Sequence, residues 1–339
     1  MKKLIALLLA LSLLCCGLAL AEESSEVGEH LSACSVPEKP KPRLTSVRVG
    51  TLKGPTTIGL VELMDKAAKG EADLPYEFTM DTADAFITKM AAGEIDIVTI
   101  PANAAAIWYN KLEGAVKVID INTLGVLYMV AAGDGVASMA DLAGKTVATT
   151  GKGTTPEWIL RALLAANGIA EDDVTLEYKS EPTEVMQALV SGAADLGLLP
   201  QPFVTAACAQ NESLRVVLDM TEEWTKAKPD SQLCTGVTVV RAAFLEEHPE
   251  AVKTFLEDHA ASAAFANEHT AEAAELVAAA GIIEKAAVAE KAIPKCNIVC
   301  LTGEDMKAAL SGYLQALCEL EPSSVGGTLP DDNFYFIAE

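Results

Sequence analysis

Two loops of this sequence carry the same chemistry twice. Lys53-Gly54-Pro55-Thr56-Thr57 and Lys152-Gly153-Thr154-Thr155 each leave a strand-like run and open a helix-like one. Glycine lets a ligand approach the backbone closely. The threonine hydroxyls are suited to capping the helix. The free N–H groups and the dipole of a helix N-terminus favour an oxygen-rich or anionic group. A plain βα turn with its caps has the same composition, so the duplication is what favours binding. A second pair of loops, Pro101-Ala102-Asn103-Ala104 and Pro200-Gln201-Pro202-Phe203, puts one amide side chain in each half. Asn103 and Gln201 can donate and accept hydrogen bonds, with capping as the competing role. Trp158, Trp224 and Phe203 offer flat faces on which a planar ligand can stack, and Gln232 follows Trp224 in the same irregular stretch.

Other chemistry is missing from these loops. Arg48, Arg161, Arg215 and Arg241 all fall outside them, as does Arg43, so a bidentate carboxylate clamp is not expected. Lys53 and Lys152 are the cationic groups at hand. None of the four histidines and none of the cysteines falls in a proposed loop, so no nucleophile or acid–base pair is expected there. Cys296-x-x-x-Cys300 is isolated, and His259 and His269 lie ten apart, which is not a ligand spacing. The expectation is no catalytic residue, no metal and no cofactor, with both histidines on the surface.

The elements that must hold these loops alternate. Strand-like runs over 47–51, 76–79, 95–100 and 116–121 are separated by helical patterns over 56–69, 82–92 and 102–111. After Gly125 the order restarts. Strands are expected at 126–131, 146–150, 174–178, 194–199, 214–218 and 236–240, with helices at 138–142, 156–166, 182–191 and 203–210. Residues 221–233 read as irregular, and 244–320 as mainly helical. Such alternation predicts α/β architecture with mostly parallel sheets flanked by helices. An internal repeat divides it. Lys53-Gly54 matches Lys152-Gly153, and Gly93-x-x-Asp96-x-x-x-x-Pro101 matches Gly192-x-x-Asp195-x-x-x-x-Pro200, both at an offset of 99 residues. Two similar α/β lobes follow, with both motifs at carboxyl ends of strands, where such sheets bind ligands.

At 339 residues the chain suits two modest domains. Lys2-Lys3, the apolar run from Leu4 and Ala19-Leu20-Ala21 form a signal-peptide pattern over 1–21. An acidic, then Pro-rich linker occupies 22–44. A retained anchor at the N-terminus, or lipidation at Leu31-Ser32-Ala33-Cys34, stays open as an alternative to simple cleavage. Without Lys2 and Lys3, 23 basic residues face 48 acidic ones, a net charge of −25. That disfavours nucleic acid and anionic membrane surfaces as partners. Six cysteines after Ala21 permit disulfides in an exported chain, with fifteen full pairings open.

At these residues the chain resembles the bacterial ABC-transporter substrate-binding family that includes sulfonate, taurine, nitrate and thiamine-pyrimidine-precursor binding proteins. The resemblance is carried by Arg48-Val49-Gly50 through Gly59, by Asp141-Leu142-Ala143-Gly144-Lys145-Thr146-Val147-Ala148, and by Gly192-Ala193-Ala194-Asp195. It implies a two-lobed periplasmic-binding-protein-like fold with two hinge crossings. One lobe would be 45–123 plus 235–339 and the other 124–234, crossing near Thr123-Leu124-Gly125 and Leu233-Cys234-Thr235. It also implies a monomeric, non-enzymatic binding protein at the periplasm or cell surface. A small heterocyclic or oxyanion-bearing solute would sit between the lobes, for delivery to an ABC permease in the membrane. A sensor or scaffold, or a pyrimidine-precursor-type enzyme of the same fold, is the alternative.

Overall fold

A computed structural model describes residues 44–337. The expected signal segment, most of the linker, Arg43 and Cys34 lie outside them.

In chain order the elements are β1 (Val47–Thr51), α1 (Pro55–Ile58), α2 (Val61–Lys69), β2 (Tyr76–Met80), α3 (Ala83–Ala91), β3 (Ile97–Pro101), α4 (Ala102–Lys111), β4 (Val116–Leu124) and β5 (Leu127–Ala132). Then follow β6 (Thr146–Thr149), α5 (Thr155–Ala166), β7 (Thr175–Tyr178), α6 (Pro182–Ser191), β8 (Leu196–Pro200), α7 (Phe203–Gln210), β9 (Leu214–Asp219) and α8 (Met220–Ala227). The chain ends with β10 (Cys234–Arg241), α9 (Ala242–Glu247), α10 (Pro249–Glu268), α11 (Thr270–Ala279), α12 (Ala286–Ala292), β11 (Ile298–Leu301) and α13 (Gly303–Leu320).

Two sheets result. Their strand orders are β11-β4-β10-β3-β1-β2 and β7-β6-β8-β5-β9. Reading the first from β2 and the second from β7, the halves match strand for strand: β2-β1-β3-β10-β4 against β7-β6-β8-β5-β9. The 99-residue offset survives in the backbone. β1 begins at Val47 and β6 at Thr146, α3 at Ala83 and α6 at Pro182, β3 at Ile97 and β8 at Leu196. Gly192 ends α6 in the left-handed region at φ 75°, and Gly93, just past α3, sits at φ 70°. A side chain would strain the backbone at either place.

The α/β layering is as expected, but the sheets are mixed rather than mostly parallel. β1 runs parallel to β2 and β3, and β6 to β7 and β8. β10, β11 and β5 run antiparallel to their neighbours. The reason is topological. β5 follows β4 directly into the second sheet, and β10 returns to the first after α8, so neither arrives by the crossover helix that parallel pairing needs.

Three further differences have local causes. The helix expected over 56–69 breaks into α1 and α2 at Gly59. There the backbone passes so close that an added Cβ would meet Ile298 Cγ2 at 3.0 Å. The stretch expected to be irregular holds α8, capped by the Asp219 carboxylate, which accepts from Thr221 N at 2.8 Å. The helical C-terminal region contains an edge strand, β11. The five described cysteines, Cys208, Cys234, Cys296, Cys300 and Cys318, are all free, so none is paired by a disulfide among the described residues. No helix among the described residues is long and apolar enough to cross a membrane.

Candidate functional site between the two sheets

Both Lys-Gly loops leave the carboxyl end of a strand, β1 and β6, as their positions require. Lys53 and Lys152 are exposed. Lys152 Nζ lies 5.7 Å from the centre of the Tyr178 ring. The caps differ from expectation. Neither Gly54 nor Thr154 caps its helix with a side chain. Instead the Thr57 hydroxyl donates to Leu52 O, and the Thr154 hydroxyl to Gly151 O at 2.7 Å. At α5 the N-terminal donor is already used, because the Glu157 carboxylate accepts from Gly153 N–H at 2.6 Å. A charged acceptor near the positive end of a helix outcompetes a hydroxyl. Burial alone would raise the Glu157 carboxyl, but the Gly153 N–H and Arg161 hold it below the usual range. The second loop is therefore not a vacant anion cradle. Pro55 and Thr56 follow Gly54 in the first loop, where α1 is only four residues long.

Asn103 neither caps a helix nor stands open to a ligand. It is wholly buried and joins the two halves. Its Nδ2 donates to Ser324 O at 2.9 Å and to Gly153 O at 3.3 Å, while Oδ1 accepts from the Thr155 hydroxyl at 3.1 Å. Tyr313 from α13 is also wholly buried, and its hydroxyl has no hydrogen-bond partner. Gln201 has the capping role: buried, it accepts with Oε1 from Thr205 N at 3.2 Å and Thr205 Oγ1 at 2.8 Å. Pro101 is half-buried, Ala104 and Pro202 are buried, and the Gln201–Pro202 peptide is cis.

The aromatics separate. Trp224 is a core residue with no exposure, packed 5.5 Å from the Tyr313 ring, so the expected stacking role is not open to it. The cause is α8, which turns Met220 and Trp224 inward together. Gln232 is exposed. Phe203 is buried yet borders a groove of about 380 Å³ with Lys53, Met186, Gln187, Ile283 and Lys285. Trp158 is half-buried, and its Nε1 is buried without a hydrogen-bond partner.

The feature that spacing did not reveal is a polar layer on one face of the first sheet. Val237 pairs with Ile100, and Thr238 with both Thr99 and Asp120. Gly50 pairs with Val98, so continuing that register sets Thr51 beside Thr99. Thr51, Thr99, Thr238 and Asp120 thus form a row across four strands. Thr238 Oγ1 donates to Asp120 Oδ1 at 2.8 Å and accepts from Asn122 Nδ2 at 3.1 Å. Thr56, from the first Lys-Gly loop, lies over Gly236, where an added Cβ would meet Thr56 Cγ2 at 2.5 Å and Asn122 Oδ1 at 2.6 Å. The hydroxyls of Thr51, Thr56, Thr99 and Thr235 are buried without partners. Buried hydroxyls are ordinarily satisfied, so the neighbouring pair Thr51 and Thr99, with Thr56 and Thr235 at the ends of adjoining elements, is where water or a ligand could complete the bonding. Sequence could have pointed here through the threonines at the end of β1, in the middle of β3 and near the start of β10.

The arginines among the described residues are engaged by carboxylates. Arg48 and Arg241 hold Asp96, Arg161 holds Glu157 and Glu171, and Arg215 pairs with Asp134. His259 departs from expectation. It is fully buried, with Nδ1 3.1 Å from Asp120 Oδ2. Helix α10 turns it toward β4, while His269 is exposed. Asp120, His259 and Cys300 bring ligand atoms within 4.8 Å of one another. Sequence spacing gave no sign of this grouping.

A family model described as "NMT1/THI5 like" matches residues 110–273. A Brucella abortus (strain 2308) protein, provisionally named a binding protein, is 28% identical over 170 residues, 50% of each chain. The chain spans about half the length of the curated relatives it matches. Among solved structures, an ABC transporter protein from Parabacteroides distasonis has a TM-score of 0.72 at 24% identity, covering 87% of this chain and 100% of its own. The periplasmic aliphatic sulphonate binding protein of Escherichia coli has a TM-score of 0.69 at 16% identity, covering 84% and 94%.

Proposed function

We propose that this chain, which carries an NMT1/THI5-like domain on the fold of ABC-transporter substrate-binding proteins, is an exported solute-binding protein. It holds a small organic molecule between its two α/β halves and presents it to an ABC permease. In this reading 45–123 plus 235–339 and 124–234 are the two lobes, and they close around the solute by a hinge motion at 123–125 and 233–235.

The observation that carries the reading is the group of unpartnered hydroxyls of Thr51, Thr56, Thr99 and Thr235. Asn103 and Thr155 bond to each other from opposite halves. Neutral donors and acceptors suit a solute read by hydrogen bonds rather than by full charge. With the described arginines engaged by carboxylates, none of them is free at this site to pair with a sulfonate or carboxylate in bidentate fashion. A polar heterocycle is favoured, or an oxyanion held by hydroxyls and by Lys53. Binding without turnover is part of the proposal. The alternatives, a sensor or an enzyme, have no observation that favours them over this one.

A thermal-shift screen of pyrimidines, other small heterocycles and sulfonates tests it. A ligand at a hundredfold excess over its Kd adds about 2.7 kcal/mol to stability. One chemical class should raise the unfolding temperature and be recovered unaltered after prolonged incubation. Recovery of a converted product would overturn the non-enzymatic reading.

A further inference from the structure

We propose that Asp120, His259 and Cys300 form a zinc site inside the first half, at the end of the polar layer to which Thr238 joins it. Asp120 comes from β4, His259 from α10 and Cys300 from β11, and their ligand atoms all lie within 4.8 Å of one another. Carboxylate oxygen, imidazole nitrogen and thiolate sulfur together form a donor set that zinc accepts.

The geometry is close to what the ion requires. Tetrahedral zinc with bonds of about 2.0 Å to nitrogen and oxygen sets those atoms roughly 3.3 Å apart. His259 Nδ1 and Asp120 Oδ2 are already 3.1 Å apart. The Cys300 sulfur lies within 4.8 Å of both, and its one hydrogen bond is a long contact of 3.9 Å to Leu256 O. His259 Nε2 is buried and has no partner. Without a metal the Asp120 carboxylate, which only accepts, keeps the proton on Nδ1; a metal bound at Nδ1 would shift that proton to Nε2.

Charge favours the same occupant. Asp120 is fully buried, and its side-chain partners are the Thr238 hydroxyl and the His259 ring. A buried carboxylate needs compensation. A divalent cation balances one carboxylate and one thiolate. The proton leaving the Cys300 thiol passes to solvent as the metal binds. Thr238 then holds the other carboxylate oxygen as an outer partner that orients the ligand. Access is from a groove of about 360 Å³ bordered by Cys300, Leu256, Glu257, Thr302 and Phe336. This groove shares no lining residue with the one at Lys53 and Phe203. Three protein ligands leave the fourth position to water or to a group entering there.

Cobalt(II) serves as the optical probe, in a titration of the chelator-stripped purified protein followed by competition with zinc. The expected result is one cobalt per chain with a thiolate-to-metal charge-transfer band, displaced by one zinc. Cys300→Ser should lose the band, and His259→Gln should weaken binding at least about tenfold. Circular dichroism reports whether each variant folds. Should either variant fail to fold, alkylation of the wild type followed by peptide mapping decides: zinc should shield Cys300 and leave Cys208 and Cys318 unchanged. Absence of stoichiometric binding, a band that persists in folded Cys300→Ser, or unshielded Cys300 overturns the proposal.

Discussion

The Thr155 hydroxyl donates to Asn103 Oδ1 at 3.1 Å, and this bond runs from the first helix of one α/β half to a buried helix of the other. Asn103 also holds Gly153 O and Ser324 O, so one amide fixes the second Lys-Gly loop against the first sheet's half and the C-terminal segment. Replacing Asn103 by Ala leaves two carbonyls and a hydroxyl without partners. The expected cost is about 1–3 kcal/mol, read by denaturant unfolding. If the bond holds the halves together around solute, Thr155→Val, which keeps the shape and loses the donor, speeds solute dissociation in stopped-flow measurements. An unchanged dissociation rate would mean the contact is structural alone.

Gly236 is where the polar layer has no spare room. Gly236→Ala would drive a methyl into Thr56 and Asn122. Overpacking of this kind costs about 1–3 kcal/mol. Because Thr56 belongs to the proposed solute site, calorimetric titration should show weakened binding beyond the loss of stability. Full affinity in a folded Gly236→Ala protein would place the solute away from Thr56.

The tryptophans give an optical assignment. Trp158 is half-buried with an unpartnered Nε1, and Trp224 is sealed in the core. Fluorescence should change when solute binds, and the change should vanish in Trp158→Leu. Trp224→Ala should instead cost about 3–5 kcal/mol, read by chemical denaturation.

Asp96 sets an acid limit. Burial alone would raise its carboxyl, but hydrogen bonds from Arg48 and Arg241 outweigh this and hold it below the usual range. A carboxyl depressed in the folded state stabilises above its unfolded value, near 3.9. That contribution is lost as pH falls through the lower folded value. Asp96→Asn should therefore destabilise at neutral pH and flatten the loss of stability below about pH 4. The neutral-pH cost should be at or below the low end of the roughly 3–5 kcal/mol for a broken buried pair, since Arg48 and Arg241 retain 34% and 20% side-chain exposure. Identical acid unfolding curves for the two proteins would contradict the assignment.

Much of the fold was legible because it is written twice. The 99-residue offset in the Lys-Gly and Gly-x-x-Asp motifs is the offset between β1 and β6, α3 and α6, and β3 and β8. Strands such as β3, buried along nearly their whole length, announce themselves by apolar runs. What failed was governed by contacts far apart in sequence. The antiparallel setting of β5 and β10 depends on how the chain passes between sheets. The core role of Trp224 needs α8, whose Thr-Glu-Glu start hides the helix although Asp219 caps it. The site was only partly legible. The loops lie at strand ends as read, yet Glu157 had already taken the Gly153 N–H, and Gln201 caps α7. The unpartnered threonines become a group only through strand register. His259 meets Asp120 across 139 residues, a separation no ligand spacing can anticipate.

Native mass spectrometry of the purified protein tests the central claim most directly, with any released small molecule identified and returned to the emptied protein. The account predicts one small polar molecule per chain, rebinding at one-to-one stoichiometry and lost when Thr56 and Thr99 are both replaced by Val. An emptied protein that rebinds nothing from the released fraction or from the heterocycle and sulfonate panel, while remaining folded, would contradict it.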